Sequence, residues 1–293
     1  MVAAHFTCRG ASHERLNQPC QDASYSIQDK QYSMAVVCDG HGGVDYFRSD
    51  RGSKLAVEAF SACVADKAFL RRLSKANAND QVEALARQLV KSVILRWNEA
   101  VDADLLQDPI RPEELEAVSD KAKQRYLSGE KCQAIYGTTL LGFVCCKGSC
   151  FGVQIGDGSC VTADKFGTLT MPIPADDRCF LNVTTSLSDD NAFEEFRFWA
   201  SRELPVAVFL STDGVENSFA GTEKLLDFFR LALKNLAEGQ WDNQTRELFD
   251  YLPQLSSQGS GDDISLAVLL NKEVDTWKTA SFFCCSGTGP TMP

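Results

Sequence analysis

Met34-Ala35-Val36-Val37-Cys38-Asp39-Gly40-His41-Gly42-Gly43 is an apolar run that breaks off into an acidic residue, a histidine and three glycines. A short apolar run bounded by turn-forming residues reads as a buried strand. A carboxylate at the end of such a strand is held rigidly, and glycines let another group approach the backbone closely. That arrangement suits a cation or an oxyanion. Asp-Gly is also an ordinary turn pair, so the reading depends on whether the pattern recurs.

It recurs. Val206-Ala207-Val208-Phe209-Leu210 runs into Ser211-Thr212-Asp213-Gly214. Gly261-Asp262-Asp263 stands directly before Ile264-Ser265-Leu266-Ala267-Val268, and Gln21-Asp22-Ala23 before a strand carrying Tyr25 and Ile27. Asp157 lies between Gly156 and Gly158 in an expected hairpin after Ile155. Carboxylates at strand termini can converge on one rim of a sheet, where they cannot all stay ionised without compensation. A hard divalent cation with oxygen ligands, Mg2+ or Mn2+, is the usual solution. The only histidines are His5, His13 and His41, which argues against a zinc site built from imidazoles. Two such cations activate water and favour in-line displacement at phosphorus.

The remaining pattern places these motifs. Strands are expected over residues 6–9, 23–27, 33–38, 138–146, 149–155, 160–163, 206–210 and 264–270. From Ser53 the apolar spacing becomes helical, with Leu55, Ala56, Ala59, Phe60, Cys63 and Val64 on one face. Asp80 and Glu83 read as a capping box opening a longer helix whose stripe is Val82, Leu85, Leu89, Val93, Ile94 and Trp97. Pro109, Pro112 and the charged stretch to Glu130 read as a loop and a surface helix. Phe193, Phe196 and Trp199 read as a helix, and further helices are expected over 222–236 and 242–252. Lys147-Gly148 and Asp157-Gly158 read as hairpin turns. Strands interrupted by helices, with hairpins among them, give an α+β fold of antiparallel sheets with helices packed outside, in one domain spanning 1–293.

Composition narrows the function. The chain has 293 residues, 44% of them hydrophobic and 24% charged, an ordinary globular balance. A net charge of −11 argues against a nucleic-acid partner, whose phosphates it would repel. No apolar run approaches the roughly 18 residues of a membrane span, and the start of the chain lacks the charged and apolar regions of a secretory signal. The twelve cysteines are therefore read as reduced thiols of a cytoplasmic protein. Cys146 and Cys150 lack the second ligand pair that zinc would need.

Taken in order, Gln21-Asp22-Ala23, Asp39-Gly40-His41-Gly42-Gly43, Gly137-Thr138-Thr139, Gly156-Asp157-Gly158-Ser159, Ser211-Thr212-Asp213-Gly214 and Gly261-Asp262-Asp263-Ile264-Ser265 resemble the motifs of the metal-dependent protein phosphatases (the PPM, or type 2C, family). The resemblance is to the compact bacterial branch, where Gln-Asp replaces Glu-Asp, and it covers about residues 6–270, leaving a short C-terminal extension. It implies a four-layer α-β-β-α sandwich of two antiparallel sheets flanked by helix pairs. It also implies a serine/threonine phosphatase in which a hydroxide bridging two Mn2+ or Mg2+ ions attacks phosphorus. By that resemblance Asp39 would bridge the metals and the Gly40 carbonyl would ligate one. Asp213 and Asp262 would complete the other site, and Asp22 would hold metal-bound water or ligate directly. His41 would be the general acid that protonates the leaving serine or threonine oxygen. Asp263, where many relatives carry asparagine, reads as a supporting residue, as do Asp157 and Thr138.

Three departures from the family pattern stand out. Asn17 occupies the place of an arginine that grips the substrate phosphate in relatives, leaving Arg9, Arg15 and Arg48 as candidates. Gln133-Ala134-Ile135 stands where relatives with a third metal have an aspartate, which puts a third ion in doubt. Residues 171–191 read as a shorter flap that selects substrates. The implied partners are phosphorylated proteins in signalling and a serine/threonine kinase counterpart. The missing arginine keeps a pseudophosphatase, the same fold used as a regulatory binding module, as the alternative; a small-molecule phosphatase is a third reading. The tail carrying Phe282-Phe283-Cys284-Cys285 reads as an extra strand or an interaction tag.

Overall fold

A computed structural model describes residues 1–130, 132–176, 178 and 184–273; the expected tail element and part of the expected flap lie outside them. Two five-stranded antiparallel sheets face each other. One runs in the order β1 (Val2–Cys8), β10 (Ile264–Leu270), β9 (Ala207–Ser211), β6 (Ser159–Ala163), β7 (Leu169–Thr170). The other runs β2 (Ala23–Gln28), β3 (Ser33–Cys38), β4 (Leu140–Cys146), β5 (Ser149–Ile155), β8 (Arg197–Ser201). Helices α2 (Ser49–Val64) and α4 (Asn79–Gln107) cover the second sheet; α8 (Thr222–Glu238) and α9 (Trp241–Gln258) cover the first. The result is the four-layer α-β-β-α sandwich.

Alternation along the strands shows why their apolar runs are unbroken. In β3, Met34, Val36 and Cys38 pack toward α2 and α4, while Ala35 and Val37 pack into the layer between the sheets. In β10, Ile264, Leu266, Val268 and Leu270 meet α8 and α9, while Ala267 and Leu269 face the opposite sheet. An antiparallel sheet commonly leaves one face in water; here helices close that face, so every position of β3, β9 and β10 is buried. Each Leu, Val or Phe removed from water in this way contributes about 1.5–3 kcal/mol.

Several local expectations are corrected. The residues around Trp199 form β8, an edge strand, and only Ala192–Glu195 (α6) is helical there. Phe196, Phe198 and Ala200 pack toward the helical layer while Trp199 turns to Phe143, 5.8 Å away between ring centroids; this is period two, which the threefold spacing of the aromatics concealed. Asp157-Gly158 is not a hairpin, because β5 pairs with β4 and β8 whereas β6 pairs with β9 and β7; the turn carries the chain from one sheet to the other. The capping box does not form. Ala78 stands at the N-cap of α4, Asp80 accepts from the Gln81 amide at 2.9 Å, and Glu83 pairs with Arg87 at 2.7 Å. The Lys147-Gly148 turn does close a hairpin, with positive φ at both residues as a type I′ turn requires. The short helices α1 (Ala11–Leu16), α3 (Lys67–Leu73) and α7 (Asp213–Glu216) complete the elements that bear on the site, together with α5 (Asp120–Leu127), where a surface helix was expected.

Candidate active site

Strand termini assemble one rim of the sandwich. β3 ends one residue before Asp39, and the pairing of Ala23 with Cys38 sets Asp22 beside it. In the facing sheet Ser211 of β9 pairs with Leu266 of β10. Asp213, just after β9, and Asp262 and Asp263, just before β10, therefore reach the same edge. β10 packs across β2 and β3, which brings the two groups together, and the β5–β6 crossing adds Asp157. Charge from five of these six aspartates is felt by others of the group: Asp22, Asp213 and Asp262 at Asp39, Asp157 and Asp262 at Asp213, Asp263 and Asp213 at Asp22.

The backbone beneath them is clamped. The Asp39 amide donates to Thr139 Oγ1 at 3.0 Å, and its carbonyl accepts from the Thr139 amide and Thr138 Oγ1, both at 2.8 Å. Gly40 donates its N–H to the Gln21 carbonyl at 3.1 Å. A Cβ on Gly40 would stand 2.6 Å from the Ser49 carbonyl oxygen and 2.7 Å from that of Gln21, so the close approach of three chain segments requires glycine. The Gln21 side chain donates to the His41 carbonyl at 3.2 Å and Ser49 Oγ at 2.6 Å. Thr212 joins the sheets: its hydroxyl accepts from the Ser265 amide at 2.9 Å and donates to Asp22 Oδ2 at 2.7 Å.

Burial acts first on the carboxyls. It lifts Asp22 and Asp39 well above the usual carboxylate range, and neighbouring carboxylates push the same way, only partly offset at Asp22 by the Thr212 hydroxyl. Asp213 is pushed up to about 6, again chiefly by burial, and Asp262 is raised for the same reason. Asp213 Oδ2 accepts from Asn217 Nδ2 at 2.9 Å, but its buried Oδ1 has no hydrogen-bond partner among the described residues; the Asp39 side chain is close enough to shift its titration. Asp263 is different. Its oxygens accept from the Gly10 and Gln21 amides, both at 2.6 Å, and His13 Nδ1 stands 2.9 Å away.

This donor set fits a hard cation. It is made of carboxylate oxygens and a clamped glycine segment, with one buried oxygen lacking a donor, and the three nearby thiols of Cys8, Cys20 and Cys38 are all pushed up and stay protonated. Among the described residues no three His, Cys, Asp or Glu side chains already close into a cage. Mg2+ keeps several waters and is held by one or two carboxylates, so a closed cage is not needed.

The protein phosphatase 2C family model matches residues 9–252, a span that contains every motif of this rim except the last. The chain belongs to the protein phosphatase 2C family. The family is metal-dependent and acts on phosphoproteins. The fold is similar to the crystal structure of a bacterial serine phosphatase, with a TM-score of 0.60 and 14% identity over 92% of this chain and 96% of that one. It is similar to the Mycobacterium tuberculosis serine/threonine phosphatase PstP (TM-score 0.55, 15% identity, 92% and 99% covered). It is also similar to RsbX, solved in complex with magnesium (TM-score 0.51, 12% identity, 91% and 92% covered). No curated protein sequence matches at a significant level. Among the described residues no helix is long and apolar enough to cross a membrane.

His41 stands beside the rim. Its amide donates to the Gly137 carbonyl at 3.0 Å, and burial lowers its pKa while Asp157 and Asp189 oppose that shift. The arginine candidates separate. Arg48 is 1% exposed and engaged away from the rim by Glu114, Tyr136 and the carbonyls of Asp108 and Pro109, so it is not available to a phosphate. Arg9 and Arg15 lie exposed on either side of the start of α1, near the rim. Asn17, in the expected arginine's place, caps α1 with φ 53°, a conformation asparagine tolerates better than arginine. Gln133 donates to Asp102 at 2.8 Å, outside the carboxylate group. Sequence reasoning missed His13, Asp189 and Tyr46, which carry no motif of their own.

Proposed function

We propose that this chain is a divalent-cation-dependent phosphatase of phosphoserine and phosphothreonine in proteins. The observation that carries the reading is the gathering of Asp22, Asp39, Asp213 and Asp262, drawn from both sheets, around a buried oxygen of Asp213 with no donor of its own. Burying like charges together is costly unless a cation compensates them. Asp39, the Gly40 carbonyl, Asp213 and Asp262 would hold two Mn2+ or Mg2+ ions, with Asp22 supporting them directly or through water. When bound, such ions supply Lewis acidity toward phosphoryl oxygens and an activated water near neutral pH.

The protein's own groups do the rest. Thr138 and Thr139 fix the Asp39 backbone, so the carboxylate is aimed without reorganisation. Thr212 holds Asp22, and Asp263 ties the segments around Gly10 and Gln21 to the start of β10. His41 is the candidate proton donor to the departing alkoxide. Burial favours its neutral form, and an approaching phosphate dianion would favour the protonated one. Arg9 or Arg15 is the candidate grip on the phosphate. No cysteine is needed as nucleophile.

The test is phosphopeptide hydrolysis with added Mn2+, with and without chelator, for the natural chain and Asp39→Asn. Reversible loss with chelator and loss by at least about 10²-fold in the variant are expected. Cation binding without any turnover would favour the pseudophosphatase, and full turnover by Asp39→Asn in metal-free buffer would end the reading altogether.

A further inference from the structure

The His41 backbone is held by its amide, which donates to the Gly137 carbonyl at 3.0 Å, and by its carbonyl, which accepts from Gln21 Nε2 at 3.2 Å; where the imidazole lies is then a matter of side-chain rotamer. Two walls fix it. On one side is Gly137, where a Cβ would stand 2.7 Å from His41 Cδ2 and 3.1 Å from Tyr46 Cδ1; the ring occupies space that glycine alone leaves. On the other side the Tyr46 ring meets it edge-on, with centroids 5.2 Å apart and planes at 69°.

Tyr46 belongs to the segment Asp45-Tyr46-Phe47-Arg48, and the other three residues are all tied to residues 108–126. The Asp45 carboxylate accepts from the Ser119 amide at 2.9 Å and Ser119 Oγ at 2.8 Å, and its carbonyl accepts from the Tyr126 hydroxyl at 2.9 Å. Phe47 lies edge-on to Tyr126, 6.1 Å between centroids. Arg48 donates Nε and Nη2 to the Glu114 carboxylate, both at 2.9 Å, and reaches the Asp108 carbonyl at 2.6 Å. A paired, planar contact of this kind fixes geometry as well as charge. Three residues therefore grip the excursion between α4 and β4, and the fourth presents its ring to His41.

We propose that the excursion of residues 108–126 is a positioning device for His41, acting through Tyr46. It rests on the reading of His41 as proton donor to the leaving oxygen. Misplacing a reacting group by about 1 Å can cost 10²-fold in rate. An imidazole that can change rotamer has that freedom unless it is walled in.

The experiment compares two substrates of the Mn2+-loaded full chain: a phosphoserine peptide, whose alkoxide must be protonated as it leaves, and p-nitrophenyl phosphate, whose phenolate departs without help. His41→Ala sets the reference, with kcat on the peptide falling about 10²-fold and on the aryl ester less than about threefold. Tyr46→Leu is expected to show the same selectivity, about tenfold on the peptide with KM unchanged, and Tyr46→Phe to recover the peptide rate because the ring edge rather than the hydroxyl makes the contact. Ser119→Ala, on the surface, is expected to act in the same direction with smaller size, and it decides the matter should Tyr46→Leu fail to fold. Equal loss on both substrates in Tyr46→Leu and Ser119→Ala, or no loss on either, overturns the proposal while leaving a selective His41→Ala intact. An unselective His41→Ala overturns the reading of His41 itself.

Discussion

Replacing Asp213 by asparagine separates what this carboxylate does to the fold from what it does for the site. Burial, reinforced by Asp157 and Asp262, lifts its pKa from 3.8 to about 6. Between those values the folded chain keeps a proton that the unfolded chain has released. Cation-free stability therefore falls as pH rises through that window, and the full deficit stands above it. A lift of this size corresponds to about 3 kcal/mol. Asparagine has nearly the same shape, carries no charge, and can donate Nδ2 toward the neighbouring Asp39 carboxyl. In a chain of this length 1 kcal/mol moves the melting temperature by about 2 °C. In chelator at pH 7.5, Asp213→Asn is expected to melt about 6 °C above the natural chain. At pH 4.5 the deficit is only about 1 kcal/mol and the gap closes to about 2 °C. Added Mn2+ should reverse the order, stabilising the natural chain and not the variant, whose phosphopeptide turnover should fall at least about 10²-fold. Thermal unfolding followed by dye fluorescence at the two pH values, with chelator and then with Mn2+, reads the stability shifts, and phosphopeptide hydrolysis reads the turnover. A variant that melts below the natural chain in chelator at pH 7.5, or above it by the same margin at both pH values, would refute the electrostatic argument.

Glu114→Ala leaves the Arg48 guanidinium buried without its main partner, and loss of about 3–5 kcal/mol is expected in denaturant unfolding. Glu114→Gln, which keeps acceptor and shape, should lose less. Gly40→Ala drives a methyl against the Ser49 and Gln21 carbonyls, neither of which can yield without moving Asp39, so turnover should drop at least about tenfold with a lower melting temperature. Alanine at Arg9 and at Arg15 should raise KM for a phosphopeptide at least about tenfold in whichever of the two grips the phosphate; unchanged KM in both variants would place the grip elsewhere.

The sandwich was legible because its central strands are closed on both faces. The runs 34–38, 206–210 and 264–270 needed no periodicity to read as buried strands, and the acidic residue that breaks each run marks the same rim. What stayed hidden was set by contacts between distant segments. β8 read as a helix because Phe193, Phe196 and Trp199 sit three apart, and only the pairing of β8 with β5 and the stacking of Trp199 on Phe143 impose period two. The turn at Asp157-Gly158 has hairpin composition, yet nothing local says that β6 joins β9 rather than β5. The six-residue α1 is too short to show an amphipathic stripe, and its left-handed cap at Asn17 looked only like a missing arginine. Tyr46 and the excursion that holds it bear no motif, because their role lies wholly in packing.

Hydrogen bonding sorts the aspartates where their spacing could not. Asp262 and Asp263 are adjacent and equally acidic in sequence, yet Asp263 accepts two backbone amides at 2.6 Å, one from the end of β1's connection and one from Gln21. With a backbone amide on each oxygen, this carboxylate holds three chain segments in register around the rim. Asp213 has a single amide donor and a buried oxygen with no partner among the described residues, and its charge raises the neighbouring Asp39. Folding therefore gives one carboxylate a backbone donor on each oxygen and leaves Asp213 short. Since an unsatisfied buried acceptor costs about 1–3 kcal/mol, the shortage is tolerable only if something outside the chain relieves it, and a hard cation is the partner whose chemistry matches oxygen donors of this kind. The two carboxylates should respond oppositely: Asp263→Asn should weaken the fold with or without Mn2+, because one amide loses its acceptor, whereas Asp213→Asn should strengthen the cation-free fold and abolish the response to the ion.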